Sequence, residues 1–92
     1  MNELEQRLYN GSQDFTENEL SDLVFEYEYD EIEGEEGRWV RSIETIIKVK
    51  DKLFCIDWER GLTQYQEDSF DHQPYEVIEQ VKTIEVKEYI KK

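Results

Sequence analysis

Between residues 17 and 36 the chain carries ten carboxylates and neither Lys nor Arg. Like charges at that density repel one another, so a compact fold must turn them outward. Whatever the segment buries must come from the residues between them. Those are Leu20, Leu23, Val24, Phe25, Tyr27, Tyr29 and Ile32. This apolar and aromatic content is too high for a disordered solvating tail. The segment is therefore expected to fold, with acids on one side and apolar groups on the other.

The remainder of the 92-residue chain sharpens the contrast. Its formal net charge is −13, and residues 1–37 hold 13 acids against the single base Arg7, while residues 38–92 hold 11 acids and 10 bases. Ninety-two residues make a single small acidic domain, 1–92. A charge this negative argues against direct binding to nucleic acid or to an anionic membrane, which repel it. Its uneven distribution points instead to an electrostatic protein partner. One cysteine, Cys55, excludes an internal disulfide and fits a reducing compartment. The N-terminal MNELEQRL has no apolar core, so no signal peptide is expected, and no run approaches membrane-spanning length. The expected location is the cytoplasm.

Periodicity divides the chain into helices followed by strands. Leu4 and Leu8 lie one turn apart before Asn10-Gly11, a short helix and its stop. Thr16 and Glu19 form a capping box ahead of Leu20, Leu23 and Val24, so residues 1–24 are expected to be helical. Phe25, Tyr27 and Tyr29 then alternate with Glu26, Glu28 and Asp30, which predicts a half-buried strand with aromatics inward and acids outward. GEEG (34–37) supplies a hairpin connection. A second strand places Trp39, Ile43, Ile47 and Val49 on one face, and Asp51-Lys52 turns into a third with Phe54, Ile56 and Trp58 alternating with Cys55 and Asp57. Thr63 and Gln66 repeat the capping-box pattern, giving a short helical turn near 63–70. Pro74 keeps its predecessor extended. The stretch 75–90 reads as one strand or two, with a bulge or break near Lys82, and a helix also suits its spacing. The expected fold is α+β, with N-terminal helices packed on an antiparallel meander sheet of about four strands in residues 25–92.

Residues 58–77, WERGLTQYQEDSFDHQPYEV, belong to a wider set: Arg38 and Trp39, Phe54, Asp57 and Trp58, Gly61, Leu62 and Thr63, Gln66, Phe70, then Gln73, Pro74, Glu76 and Val77. This set resembles a pattern in small acidic proteins encoded by phages and prophages of Gram-positive bacteria. The resemblance spans roughly residues 25 to 90. It implies a protein that acts on host machinery or host defence in the host cytosol, the ecological class to which anti-CRISPR proteins and DNA mimics belong. It specifies no activity.

No residue constellation points to catalysis. His72 and Cys55 are single of their kind; His72 lies in a polar loop and Cys55 mid-strand, so no activated nucleophile is expected. One His and one Cys cannot make a zinc set, and DEIEGEEG puts Ile32 out of register for an EF-hand loop. No phosphate-binding glycine motif is present. The expectation is a non-enzymatic protein without cofactor or metal.

The acids themselves remain. On a strand, alternate residues project about 6.6 Å apart, twice the rise per residue. That spacing approximates every second phosphate of one DNA strand. The candidate partner-binding residues are Glu26, Glu28, Asp30, Glu31, Glu33, Glu35 and Glu36, with Tyr65 or Tyr75 as an aromatic anchor. The bases Arg38, Arg41, Lys48 and Lys50 on the next strand are expected to oppose some of these acids but to leave the helix and the turn unneutralised, and the turn and outer strand, Glu31, Glu33, Glu35 and Glu36, are favoured over Glu26. The expected function is inhibition, by DNA mimicry, of a basic nucleic-acid-binding host protein such as a CRISPR effector. The alternative is a phage structural or regulatory module that assembles, as a homo-oligomer or otherwise, through a sheet edge or apolar face, its charge serving solubility.

Overall fold

The computed structural model describes residues 2–63, 66–81 and 87–92. Helix α1 (Glu3–Tyr9) starts at Asn2, whose side chain accepts the Glu5 N–H, and ends just before Asn10-Gly11. Helix α2 (Glu17–Glu26) has the full capping box: Thr16 Oγ1 accepts the Glu19 N–H, and the Glu19 carboxylate accepts the Thr16 N–H. It continues past Val24 through Phe25 and Glu26, with Tyr27 as its C-cap. The helical set Leu20, Leu23, Val24, Tyr27 outweighs the alternation of aromatic and acidic residues that starts at Phe25. The strand expected from residue 25 therefore begins at Glu28, and Phe25 is 58% exposed rather than inward.

Five strands follow as an antiparallel meander in the order β1 (Glu28–Glu36), β2 (Val40–Val49), β3 (Lys52–Gly61), β4 (Tyr75–Val81) and β5 (Lys87–Lys91). The fold class is as the periodicity predicts, and the stretch 75–90 supplies a pair of strands rather than a helix. Lys82, where a break was expected, lies outside the described residues. Two connections shift. Gly34, Glu35 and Glu36 belong to β1, and residues 37–39 make the first hairpin loop, with the Gly37 N–H donating to the Val40 carbonyl at 2.8 Å. Trp39 is thus a loop residue, 52% exposed, and not a member of the buried face. The second hairpin turns at Lys50-Asp51, one residue earlier than expected, with Lys50 at φ +55°.

β2 and β3 pair without interruption from Val40↔Gly61 to Val49↔Lys52. Their helix-side face presents Ile43, Thr45, Ile47, Val49, Phe54, Ile56 and Trp58, all buried with Leu8, Phe15, Leu20, Leu23 and Val24 from the helical layer. The Trp58 ring stacks on Phe70 at 5.0 Å, and Phe25 meets both rings edge-on at 5.5 and 6.2 Å. Buried Thr45 accepts the Trp58 indole N–H at 2.8 Å. Residues 66–70 run along the outer edge of β3, where Glu59 and Ser69 exchange backbone hydrogen bonds and Gln66 N–H donates to the Thr63 carbonyl. Gly61 permits this approach, since a Cβ there would stand 2.0 Å from the Gln66 carbonyl oxygen. The Gln73 amide bonds both the N–H and the C=O of Phe15, tying the loop before β4 to the loop between the helices.

The other face of the sheet has a smaller core of Ile46, Cys55 and Val77, with Leu53, Tyr75 and Tyr89 packed around it. Tyr89 on β5 donates its hydroxyl to Asp30 on β1 at 2.7 Å. In a flat sheet those outermost strands would lie about 19 Å apart, four inter-strand steps. The sheet therefore curls around this face until its two edges meet.

Replacing Thr45 by Val keeps the shape of the side chain but leaves the Trp58 N–H buried without an acceptor. Chemical denaturation is expected to show a loss of about 1–3 kcal/mol; an unchanged midpoint would mean that the indole finds another acceptor.

Candidate functional site

The acidic stretch forms the end of α2 and all of the edge strand β1. Its geometry differs from a single outward row because β1 slips twice against β2. Pairing runs Glu28↔Ile47, then Asp30↔Ile46 through Glu33↔Ile43, then Glu36↔Arg41, so one extra residue is inserted near Tyr29 and another near Gly34-Glu35. At the second slip Gly34 lies against Ser42, where a Cβ would stand 3.2 Å from the Ser42 carbonyl oxygen. Residues paired directly across an antiparallel ladder share a face. Glu28, Glu31, Glu33 and Glu36 therefore project on the helix side with Ile47, Thr45, Ile43 and Arg41, while Asp30 and Ile32 project on the other side with Ile46 and Glu44. Glu26 sits on the last turn of α2. The expected row Glu26-Glu28-Asp30 is thus not formed: one member is helical and the first slip turns Asp30 away from Glu28.

Two arginines enter the helix-side row. Arg60, from β3, pairs with Glu31 at 2.9 Å and approaches Glu33 at 3.9 Å. Arg41, from β2, pairs with Glu33 and, at 2.9 Å, with Glu36. The result is a ladder of alternating charge, Glu31-Arg60-Glu33-Arg41-Glu36, with the Arg60 guanidinium also lying over the Trp58 ring at 5.2 Å. The hairpin end of β1 is therefore half neutralised, two arginines against Glu31, Glu33, Glu35 and Glu36, where the turn was expected to keep its charge. Of the four bases expected to oppose β1, Arg41 does so; Lys48 instead lies over the Tyr29 ring and Arg38 over the Trp39 ring. Arg60 was not foreseen, because its partners are 27 and 29 residues away in sequence and only the register of β3 brings them together.

The other candidates divide in the same way. Asp30 accepts the Glu31 N–H and the Tyr89 hydroxyl. Arg7, the lone base of the N-terminal third, pairs with Glu19 at 2.5 Å and Asp14 at 3.1 Å. The Glu19 carboxyl is held below its ordinary value, first by the Thr16 N–H and then by Arg7. Asp22, Glu26, Glu28 and Glu35 are exposed and have no ion pair among the described residues. Of the expected anchors, Tyr65 lies outside the described residues. Tyr75 is half-buried and donates its hydroxyl to Asp57 at 3.3 Å. The large exposed rings among the described residues are Phe25, Tyr29 and Trp39, which the strand pattern had placed inside.

A second constellation occupies the opposite face. Glu44 on β2 stands directly across from Asp57 on β3, with the Cys55 thiol donating to Asp57 at 3.6 Å. Ligand atoms of these three residues lie within 4.8 Å of one another, and among the described residues they are the group able to converge on one metal ion. A cleft of about 290 Å³ beside them is lined by Ser42, Glu44, Asp57, Glu59 and His72. Burial pushes the Cys55 thiol up to about 12, so it is protonated at neutral pH and is not a nucleophile. Burial, followed by the charge of Asp57, raises the Glu44 carboxyl above its ordinary 4.5.

A carboxyl whose folded-state value is raised opposes folding once it ionises, so its penalty is absent below the ordinary value and grows as pH rises through it. Glu44→Gln is expected to leave thermal stability unchanged near pH 3 and to raise it near pH 7 by about 0.5 kcal/mol, the scale of a like-charge cross-strand pair. A gain of equal size at both pH values would show that ionisation of Glu44 is not the cause. Comparison of the chain with protein-family models, curated proteins and solved structures returned no match.

Proposed function

We propose that this protein binds a cationic protein surface that otherwise holds nucleic acid, and that it does so without catalysis. The observation that carries the reading is the charge left over at the end of α2. Glu26 lies in the last helical turn, where the helix dipole disfavours an anion and no basic residue compensates. It follows Asp22 by one turn, a repulsive spacing, and Glu28 lies two residues on. At the start of α2 and along the rest of β1 the fold answers Glu19, Glu31, Glu33 and Glu36 with Arg7, Arg60 and Arg41. Charge placed where it destabilises its own helix is a local conflict of the kind found at functional sites.

Lysines and arginines of a nucleic-acid groove would meet carboxylates here in place of phosphates. Phe25, half seated against Trp58 and Phe70 and half in solvent, supplies an aromatic anchor beside the acids. Glu35 and the exposed Trp39 extend the surface at the hairpin end of β1. Glu31, Glu33 and Glu36 contribute through the ladder, with their charge shared by two arginines. The resemblance to phage-encoded acidic proteins supports a host defence protein, such as a CRISPR effector, as the class of target.

The test compares the parent with an Asp22→Asn, Glu26→Gln, Glu28→Gln variant as bait for nuclease-treated host lysate at low and high salt. The parent is expected to retain a basic nucleic-acid-binding protein that elutes as salt rises, and the variant to bind it about tenfold more weakly, near 1.4 kcal/mol. Equal retention by the variant, or a partner indifferent to salt, would overturn the proposal.

A further inference from the structure

The face of the sheet turned away from the helices carries a charge conflict that the arginines beside β1 do not relieve. Glu44 on β2 stands directly across from Asp57 on β3, and like charges so placed repel. Among the described residues no base pairs with either carboxylate. The buried Cys55 thiol points at the same spot, donating to Asp57. We propose that Glu44, Cys55 and Asp57 hold one divalent ion of the zinc class.

The placement comes from the ladder. Cys55 and Asp57 are two positions apart on β3, so they share a face at a spacing of about 6.6 Å. Glu44 is the cross-strand neighbour of Asp57 and the diagonal neighbour of Cys55. Because β2 and β3 pair without a slip, the three side chains start from a fixed triangle. Their ligand atoms lie within 4.8 Å of one another. Zinc bonds of about 2.0–2.3 Å set tetrahedral ligands roughly 3.5 Å apart, so side-chain shifts of about 1 Å close the set.

The donors select the ion. Magnesium and calcium take six or more oxygens, which a three-residue set containing a sulfur does not offer. Zinc takes Cys sulfur and carboxylate oxygen together in a four-coordinate shell. The fourth position opens on the cleft of about 290 Å³ that His72 lines, where an imidazole or a water completes the shell. On binding, the Cys55 S–H bond gives way to a sulfur–metal bond and its proton passes to solvent. Tyr75, outside the set, donates its hydroxyl to Asp57 and orients that carboxylate. Counting sulfur and nitrogen alone excludes a zinc set in this chain; the two carboxylates, brought together only by strand register, supply the rest. The ion site is independent of the proposed acidic surface at the end of α2.

Cobalt(II) is the probe, because a cobalt–thiolate bond absorbs in the near ultraviolet and cobalt on surface carboxylates does not. Titrated into the reduced, chelator-treated full chain, cobalt is expected to raise that band to saturation at one ion per chain, and zinc to remove it by displacement. Glu44→Gln, at an exposed side chain, is expected to weaken binding about tenfold or more. Glu59→Gln, at a carboxylate of the same cleft but outside the set, is expected to leave affinity unchanged. Saturating zinc is expected to raise the thermal midpoint of the parent and not that of Cys55→Ser. Cobalt binding without the band, or equal affinity of Glu44→Gln and the parent, would overturn the proposal.

Discussion

The Trp58 indole is the point through which the helix side of the molecule is connected. Its N–H is fixed by Thr45 on β2, its faces by Phe70 and by the Arg60 guanidinium, and its rim by Phe25 of α2. Arg60 in turn holds Glu31 and Glu33 on β1. One buried aromatic thus links a helix, three strands and the loop after β3. A large ring is suited to this because it offers two faces, an edge and a directional donor to neighbours of different chemistry. The acidic edge strand is held through this arrangement by an arginine whose cation–π contact with the ring helps fix where its charge sits.

The residues that carry the expected sequence resemblance have mostly structural roles. Trp58 and Phe70 stack, Gly61 admits the Gln66 backbone, Gln73 binds the Phe15 backbone, and Pro74 and Val77 are buried. Such a pattern carries information about how the chain packs and little about what it contacts. The surface proposed for binding lies largely outside it, at Asp22, Glu26 and Glu28.

Local signals in the sequence translated well where one interaction decides the outcome. Thr16 and Glu19 are three residues apart, and the capping box they form needs nothing beyond the first turn of α2. Phe54, Ile56 and Trp58 alternate because β3 is paired without slips along its whole length with β2. The acidic stretch was harder. Tyr27 satisfies both the helical period and the strand alternation, and packing of Leu20, Leu23 and Val24 resolves the choice toward helix. The two slips in β1 leave no clear mark in composition, yet one inserted residue reverses the face of everything beyond it. Arg60 meets Glu31 only after three strands have taken register. Side-chain direction on an edge strand, and hence which acids stay unpaired, is a property of the assembled sheet.

The hydrogen bond from Tyr89 to Asp30 joins residues 59 positions apart and closes the curled sheet edge to edge. Closing a contact between segments this distant costs more chain entropy than closing either neighbouring hairpin. Once made, the contact gives the first and last strands a shared element. A change that loosens β1 at Asp30 therefore also loosens the seating of β5, and the reverse holds. Linkage requires that influence to be equal in both directions. The two ends of a linear strand order thereby become neighbours, and a disturbance at one is registered at the other without a moving part between them.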